Sequence, residues 1–481
     1  MPARSATRPL IALGAGALLV AGLAAPAQAA PSPRLETTGA DVEEQRLPLV
    51  RPRDSEPFSQ RMIDGTGLAG TVDGFAAALA AAEPASVDEL VRSTGRELWS
   101  GALEHAQDAD AAIRYEDRGL YWARLALRED LKAWAASGGV DQQRLTDLLQ
   151  VLEEASRGLD ELGFDADPGV TKVMISGFDP FQLDDLLERS NPSGAAALSL
   201  SGRIIETDAG PVQIQAVVLP VTWSRFDGGI VEDAYGPQLQ AGDAAPQMAM
   251  TISQGRSGYD IERWASIWRG GFADNLNEEF EGEAPDAPGW PQTVDGAQFI
   301  ETTLPADAML AAGTGPFAVQ LNHGHAYSFA EDRTPFVEVG TTDTTPPPAG
   351  AFAVSGGGGD YLSNESMYRV NRLRVGLGLD EVAGGHLHVP VLDYMDLAAN
   401  RATNVEQTQQ LILAAAAALT PGDDEAAPAP VPAPSSGQPA APAEASGESL
   451  PAVGAATAPL LAASAAMLLA GAALLLRRRR A

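Results

Sequence analysis

Lys172-Val173-Met174-Ile175-Ser176-Gly177 is the point at which this chain changes texture. It is a short β-favouring run closed by a glycine. Comparable runs follow at 212–219, 248–252, 317–321, 352–354 and 387–391, several ending in Gly, Pro or Asn. Helix-compatible stretches separate some of them, most clearly 363–375. Strands alternating with helices predict an α/β domain over residues 170–415, with its chemistry gathered where strands end and loops begin. Upstream the pattern is helical. Leu120, Leu127, Leu131 and Trp134 recur at helical intervals, and Leu145, Leu148, Leu149 and Leu152 fall at i, i+3, i+4, i+7. Gly138-Gly139 separates these two helices, and Asp141 stands where an N-cap is needed. Residues 62–165 therefore read as a small helical domain whose leucines and tryptophans form a core.

The two ends point to export. Arg4 and Arg8, an apolar stretch over 10–23 and Ala27-Gln28-Ala29 give residues 1–30 the layout of a secretory signal peptide. An uncleaved N-terminal anchor is the other reading. Residues 31–61 are a polar lead-in. After the α/β domain, residues 416–449 form a Pro/Ala-rich stalk, expected to be extended. Residues 450–481 then read as an anchor: 455–476 is uncharged and long enough to span a bilayer, and Arg477 to Arg480 hold that end in the cytoplasm. Leu450-Pro451-Ala452-Val453-Gly454 resembles a sortase sorting signal, with Val453 in place of its threonine. Membrane tethering through a C-terminal helix and processing by a sortase both remain open. Either way the domain is expected on the outer face of the cell envelope.

Residues 31–450 carry all 64 acidic side chains and 26 of the 32 basic ones, a net charge of −38. Such a surface repels nucleic acid, so no nucleic-acid partner is expected. The chain has no cysteine, which excludes disulfides, thiolate metal sites and a cysteine nucleophile.

Three segments carry candidate chemistry. Ile261-Glu262-Arg263-Trp264-Ala265 supplies a carboxylate. Ser355-Gly356-Gly357-Gly358-Gly359-Asp360-Tyr361-Leu362-Ser363-Asn364 puts a serine hydroxyl just after a glycine run, at the start of an expected helix. Free amides there could stabilise developing negative charge. Gly385-His386-Leu387-His388-Val389-Pro390 supplies two histidines on a strand. Acid, hydroxyl and imidazole together suit a base-activated nucleophile whose base is oriented by a carboxylate.

The same segments resemble pyroglutamyl peptidase I, the pyrrolidone-carboxylate peptidase family. Ser176-Gly177-Phe178-Asp179-Pro180-Phe181 matches that family's GFxPF signature, and Asn191-Pro192-Ser193 its NPS. Val218-Leu219-Pro220-Val221 matches its LPV strand end, and Ser253-Gln254-Gly255 stands at its LGQA segment. Glu262-Arg263-Trp264-Ala265 matches its ERxA motif, and Thr303-Leu304-Pro305 its TLP. Residues 355–368 follow SxxAGxFxCNxxMY, with Asn364, Met367 and Tyr368 retained. His388-Val389-Pro390 matches HVP. The order holds over residues 170–395.

The resemblance implies a three-layer α/β/α sandwich around a mixed, mostly parallel sheet. It also implies a hydrolase that removes N-terminal pyroglutamate from peptides through a Cys-His-Glu triad. Carried across, His388 is the base, Glu262 its orienting partner, and Ser363 stands in the nucleophile's place. Phe178, Phe181 and Gln254 face the pyrrolidone ring. The family's conserved arginine has Arg269 as its nearest counterpart, and an insertion over 320–348 could act as a lid. With serine for cysteine, two readings stand: a Ser-His-Glu hydrolase, or a catalytically inactive binding or scaffold protein. His323-Gly324-His325 with His386-Leu387-His388 could also suggest a metal site. No HExxH-like helix accompanies them, and neither metal nor cofactor is expected.

Overall fold

The computed structural model describes residues 39–419 except 84, 291–295 and 314, and the described residues all fall within one compact unit spanning 1–422. The signal peptide, most of the stalk and the anchor read from the sequence lie outside the described residues. Among those described, no helix is long and apolar enough to cross a membrane.

Five helices come first: α1 (Phe58–Gly65), α2 (Ala69–Ala81), α3 (Val87–Gln107), α4 (Arg118–Trp134) and α5 (Gln142–Ser156). The expected apolar stripes explain their packing. Leu120, Leu127 and Leu131 of α4 and all four stripe leucines of α5 are buried, while Trp134 packs at the margin. Each such leucine contributes about 1.5–3 kcal/mol on leaving water. Asp141 caps α5 by accepting from the Arg144 N–H at 2.9 Å. The chain leaves α4 through Gly138, whose φ of 104° is open to glycine at little steric cost.

The α/β part runs β1 (Thr171–Phe178), α6 (Pro192–Leu200), β2 (Ile204–Thr207), β3 (Gly210–Leu219), α7 (Trp223–Asp227), α8 (Ile230–Leu239), β4 (Met248–Gln254) and β5 (Tyr259–Glu262). Short strands follow: β6 (Trp264–Ser266), β7 (Trp268–Arg269), β8 (Gly282–Glu283) and β9 (Phe299–Glu301). The rest is α9 (Ala306–Ala312), β10 (Val319–Asn322), β11 (His325–Ser328), β12 (Val337–Val339), β13 (Phe352–Ser355), α10 (Leu362–Gly376), β14 (Ala383–Val389) and α11 (Leu397–Ala417). Seven strands form the central sheet in the order β10-β5-β14-β4-β1-β3-β2. It is mixed and mostly parallel: only the β14–β5 and β2–β3 pairs run antiparallel. The expected run at 352–354 is a strand, β13, but it belongs to a separate three-stranded sheet with β11 and β12. The expected lid segment supplies β10, an edge strand of the central sheet, as well as β11 and β12.

The two-residue period of a strand sorts the core. Val173, Ile175, Ile214, Ala216, Met248, Met250, Leu387 and Val389 point into one apolar cluster, which continues without a break into the leucines of α4 and α5. Met174, Phe178, Val217, Leu219 and Ala249 point into another, with Ile230, Val231, Val370 and Leu373 of α8 and α10. Along that second face the strands turn polar towards their C-terminal ends, at Thr251, Ser253, His386 and His388. That polar patch is where the site lies.

Candidate active site

Strand pairing assembles the polar patch. In the parallel β14–β4 register His386 stands opposite Thr251 and His388 opposite Ser253. In the antiparallel β14–β5 register His386 stands opposite Glu262. All five side chains therefore share one face. Glu262 Oε1 lies 2.6 Å from His388 Nδ1. Glu262 is fully buried, and burial pushes its carboxyl above the ordinary range, with the His388 hydrogen bond opposing the rise. A carboxylate bonded to Nδ1–H fixes the imidazole as the tautomer whose Nε2 carries a free lone pair. Among the described residues His388 Nε2 has no partner.

His386 is built differently. Its Nδ1 is 2.7 Å from Thr251 Oγ1 and its Nε2 2.8 Å from Ser253 Oγ, so both nitrogens are spent on the scaffold. Burial, with His388 beside it, holds this ring well below the usual imidazole range. Of the other H-x-H pair, His323 Nδ1 is 3.1 Å from Arg263 Nη1, and His325 packs among Trp264, Phe299 and Tyr327. Among the described residues no three His, Cys, Asp or Glu side chains are grouped to hold a metal ion.

Ser363 occupies the first turn of α10, where the amides of Leu362, Ser363 and Asn364 have no intrahelical acceptor. Asn364 anchors that turn: its Oδ1 accepts from Ser266 N and its Nδ2 donates to Ser266 O, both at 2.9 Å. The glycine run lets the loop press against the acid and the base. A Cβ on Gly357 would lie 2.2 Å from Glu262 Oε2, and one on Gly358 2.9 Å from His388 Cε1. Ser363 Oγ donates to the Gly358 carbonyl at 3.3 Å. Among the described residues no hydrogen bond joins Ser363 to His388. The three expected residues thus meet around Gly358, with the acid–base contact made and the hydroxyl–base contact open.

A small, solvent-open pocket is lined by Phe178, Phe181, Gln254 and Ser363, together with Asn191, Val221, Ser253, Tyr361 and Leu362. Phe178 stacks on Phe226 at 6.1 Å, and Tyr361 meets Trp223 edge-on at 5.2 Å, so its aromatic walls are themselves supported. The Gln254 side-chain amide, on the pocket lining, makes no hydrogen bond among the described residues. Asn191 is already engaged: it caps α6 through Ser193 and donates to Asp179 O at 2.9 Å. Tyr361 and Ser253 add to the lining beyond the residues the sequence singles out, and both lie within its motif segments at 355–368 and 253–255. Arg269 is not free, since it pairs with Asp227 at 2.5 Å and Glu365 at 3.2 Å.

Two family models fit the chain, the PA0049 N-terminal domain over residues 24–153 and the PA0049 C-terminal domain over 172–291 and 325–393. The uncharacterized protein PA0049 of Pseudomonas aeruginosa is 31% identical, covering 73% of this chain and 81% of its own length. The chain belongs to the PA0049 family. Among solved structures, this PA0049-family chain is similar to a variant of pyrrolidone carboxyl peptidase from Pyrococcus furiosus. That match has 21% identity, 52% of this chain, all of that chain and a TM-score of 0.35. It is also similar to pyroglutamyl peptidase I of Bacillus amyloliquefaciens, with 18% identity, 51% of this chain, 97% of that chain and a TM-score of 0.35.

Proposed function

We propose that this protein is a hydrolase that releases N-terminal pyroglutamate from peptides, using Ser363 as nucleophile, His388 as base and Glu262 as the group that orients the base. The observation that carries this reading is the 2.6 Å Glu262–His388 contact, placed beside a hydroxyl at a helix start and an apolar pocket. The aromatic walls at Phe178, Phe181 and Tyr361 suit a small flat ring, and the unpaired Gln254 amide suits a lactam, whose N–H and C=O both need partners. On this reading the fold is a three-layer α/β/α sandwich, and the domain works outside the cell, tethered by its C-terminus.

The reaction begins when Ser363 Oγ swings from the Gly358 carbonyl towards His388. The bond it leaves is long for O–H···O, so it is weakly held. As Oγ bonds to the pyroglutamyl carbonyl carbon, its proton passes to His388 Nε2, and Glu262 stabilises the imidazolium. The oxyanion faces the unpaired amides at the start of α10. Collapse breaks the C–N bond, and the departing amine takes the proton from His388. Water, deprotonated by the same imidazole, then cleaves the acyl-serine and frees pyroglutamate.

The open Ser363–His388 contact favours one other reading, a protein that binds pyroglutamyl termini without cleaving them. Turnover of a pyroglutamyl arylamide by the full chain separates the two. The hydrolase reading expects arylamine release that Ser363→Ala abolishes. If the wild type and Ser363→Ala are equally inert yet both bind pyroglutamate, the binding reading replaces it.

A further inference from the structure

The helical segment carries buried charges that the proposed chemistry does not use, and they converge on the walls of the pocket. Asp179, between the lining residues Phe178 and Phe181, is held from both sides. Arg124 of α4 donates to its Oδ1 at 2.6 Å, and Arg157, just beyond α5, donates to its Oδ2 at 2.6 Å. A second lining residue, Asn191, is also held from the helical segment. Asp117, at the start of α4, accepts from the Asn191 backbone N–H at 2.7 Å and from the Ser190 hydroxyl. Asn191 Nδ2 then ties this wall to the Phe178–Phe181 segment through the Asp179 carbonyl. All of these carboxylates and guanidiniums are buried.

Apolar packing already docks the helices on the sheet, since one hydrophobic cluster spans both. Buried ion pairs add little net stability over apolar replacements because desolvation offsets their attraction. What they do fix is geometry, through paired, directional hydrogen bonds. We infer that the helical segment is a built-in clamp for the pocket, with Asp179 and Asp117 as positioning residues that set the spacing of its Phe178–Phe181 and Asn191 walls. This rests on the pyroglutamyl-pocket reading for its ligand but not for its mechanical content.

The test uses full-length Asp179→Asn and Asp117→Ala, with Asp88→Asn as control. Asp88 of α3 pairs with Arg144 of α5 at the surface of the helical segment, outside the ion pairs that reach Asp179. Amide hydrogen exchange and the Kd for L-pyroglutamate are measured on each folded protein. Exchange over residues 178–191 should quicken at least tenfold in Asp179→Asn and Asp117→Ala but not in the control. Pyroglutamate Kd should rise at least tenfold, and in turnover KM should rise more than kcat falls. Unchanged exchange at 178–191 in Asp117→Ala would overturn the clamp, whether or not Asp179→Asn folds. A wild type that binds no pyroglutamate would instead remove the peptidase reading, while the exchange measurement still decides the clamp.

Discussion

Glu262 stands directly opposite His386 in the strand register, yet its carboxylate bonds the diagonal neighbour, His388, at 2.6 Å. His386 is unavailable because Thr251 and Ser253 already hold both of its nitrogens. The strand therefore offers two imidazoles side by side, one neutral and structural, the other with its Nε2 unpaired among the described residues. If that division is functional, Glu262→Gln leaves a folded protein in which the amide no longer enforces the right His388 tautomer. Turnover of a pyroglutamyl arylamide should fall by on the order of 10³–10⁴-fold, with pyroglutamate affinity little changed. A fall under tenfold would remove Glu262 from the mechanism.

Gly357→Ala tests the same contact from the other side. The new methyl would stand 2.2 Å from Glu262 Oε2, an oxygen that is buried and makes no hydrogen bond of its own. The carboxylate must therefore move, and its bond to His388 stretches or breaks. A displacement of this size should lower kcat by on the order of 10²-fold. It should also shift the downfield proton resonance of His388 Nδ1–H, which would show that the cause is the broken pair. An unchanged resonance with lowered activity would point to a different lesion.

Legibility followed the apolar pattern. The stripes of α4 and α5 are readable because their leucines repeat with the helical period, and strands β1, β3, β4 and β14 because they are short β-favouring runs, several closed by turn residues. β5 was not read as a strand: Tyr259-Asp260-Ile261-Glu262 is fully buried but half acidic, and no local rule places Asp and Glu inside a sheet. Its place depends on β14 and β10 on either side. The candidates Glu262, His388 and Ser363 stand out in the sequence through ordered motifs, but the open position of Ser363 does not, since a rotamer is set by neighbours such as the Gly358 carbonyl. The clamp was invisible for a related reason. No local pattern singles out Asp117, Arg124 or Arg157; their role depends on Asp179 and Asn191 being folded against them.

The Asp141 cap, in contrast, was a purely local expectation and carries a local prediction. Its side chain satisfies one otherwise unpaired amide at the start of α5. Asp141→Ala should cost about 1 kcal/mol and lower Tm by roughly 2 °C in a unit of this size. It should leave pyroglutamate binding unchanged, because the Arg157–Asp179 link lies at the far end of that helix. Differential scanning calorimetry and a binding isotherm check both halves.

His386 gives the fold a pH dependence whose sign follows from its burial. The ring is held neutral well below the ordinary imidazole value of 6.5. In the unfolded chain it titrates normally, so below pH 6.5 the unfolded state binds the extra proton. Its contribution to stability is complete above that value and is lost as the pH falls towards the depressed folded value, with a slope of at most about 1.4 kcal/mol per pH unit. His386→Gln loses the fit to Thr251 and Ser253 and should be the less stable protein at pH 7.5. It has no imidazole to protonate, however, so its deficit should shrink steadily as the pH is lowered from 6.5 to 5. Urea unfolding of both proteins across that range measures the difference directly. A deficit that stays constant would mean that His386 carries its proton in the folded state as readily as in the unfolded one, and the neutral, structural role assigned to it would fail.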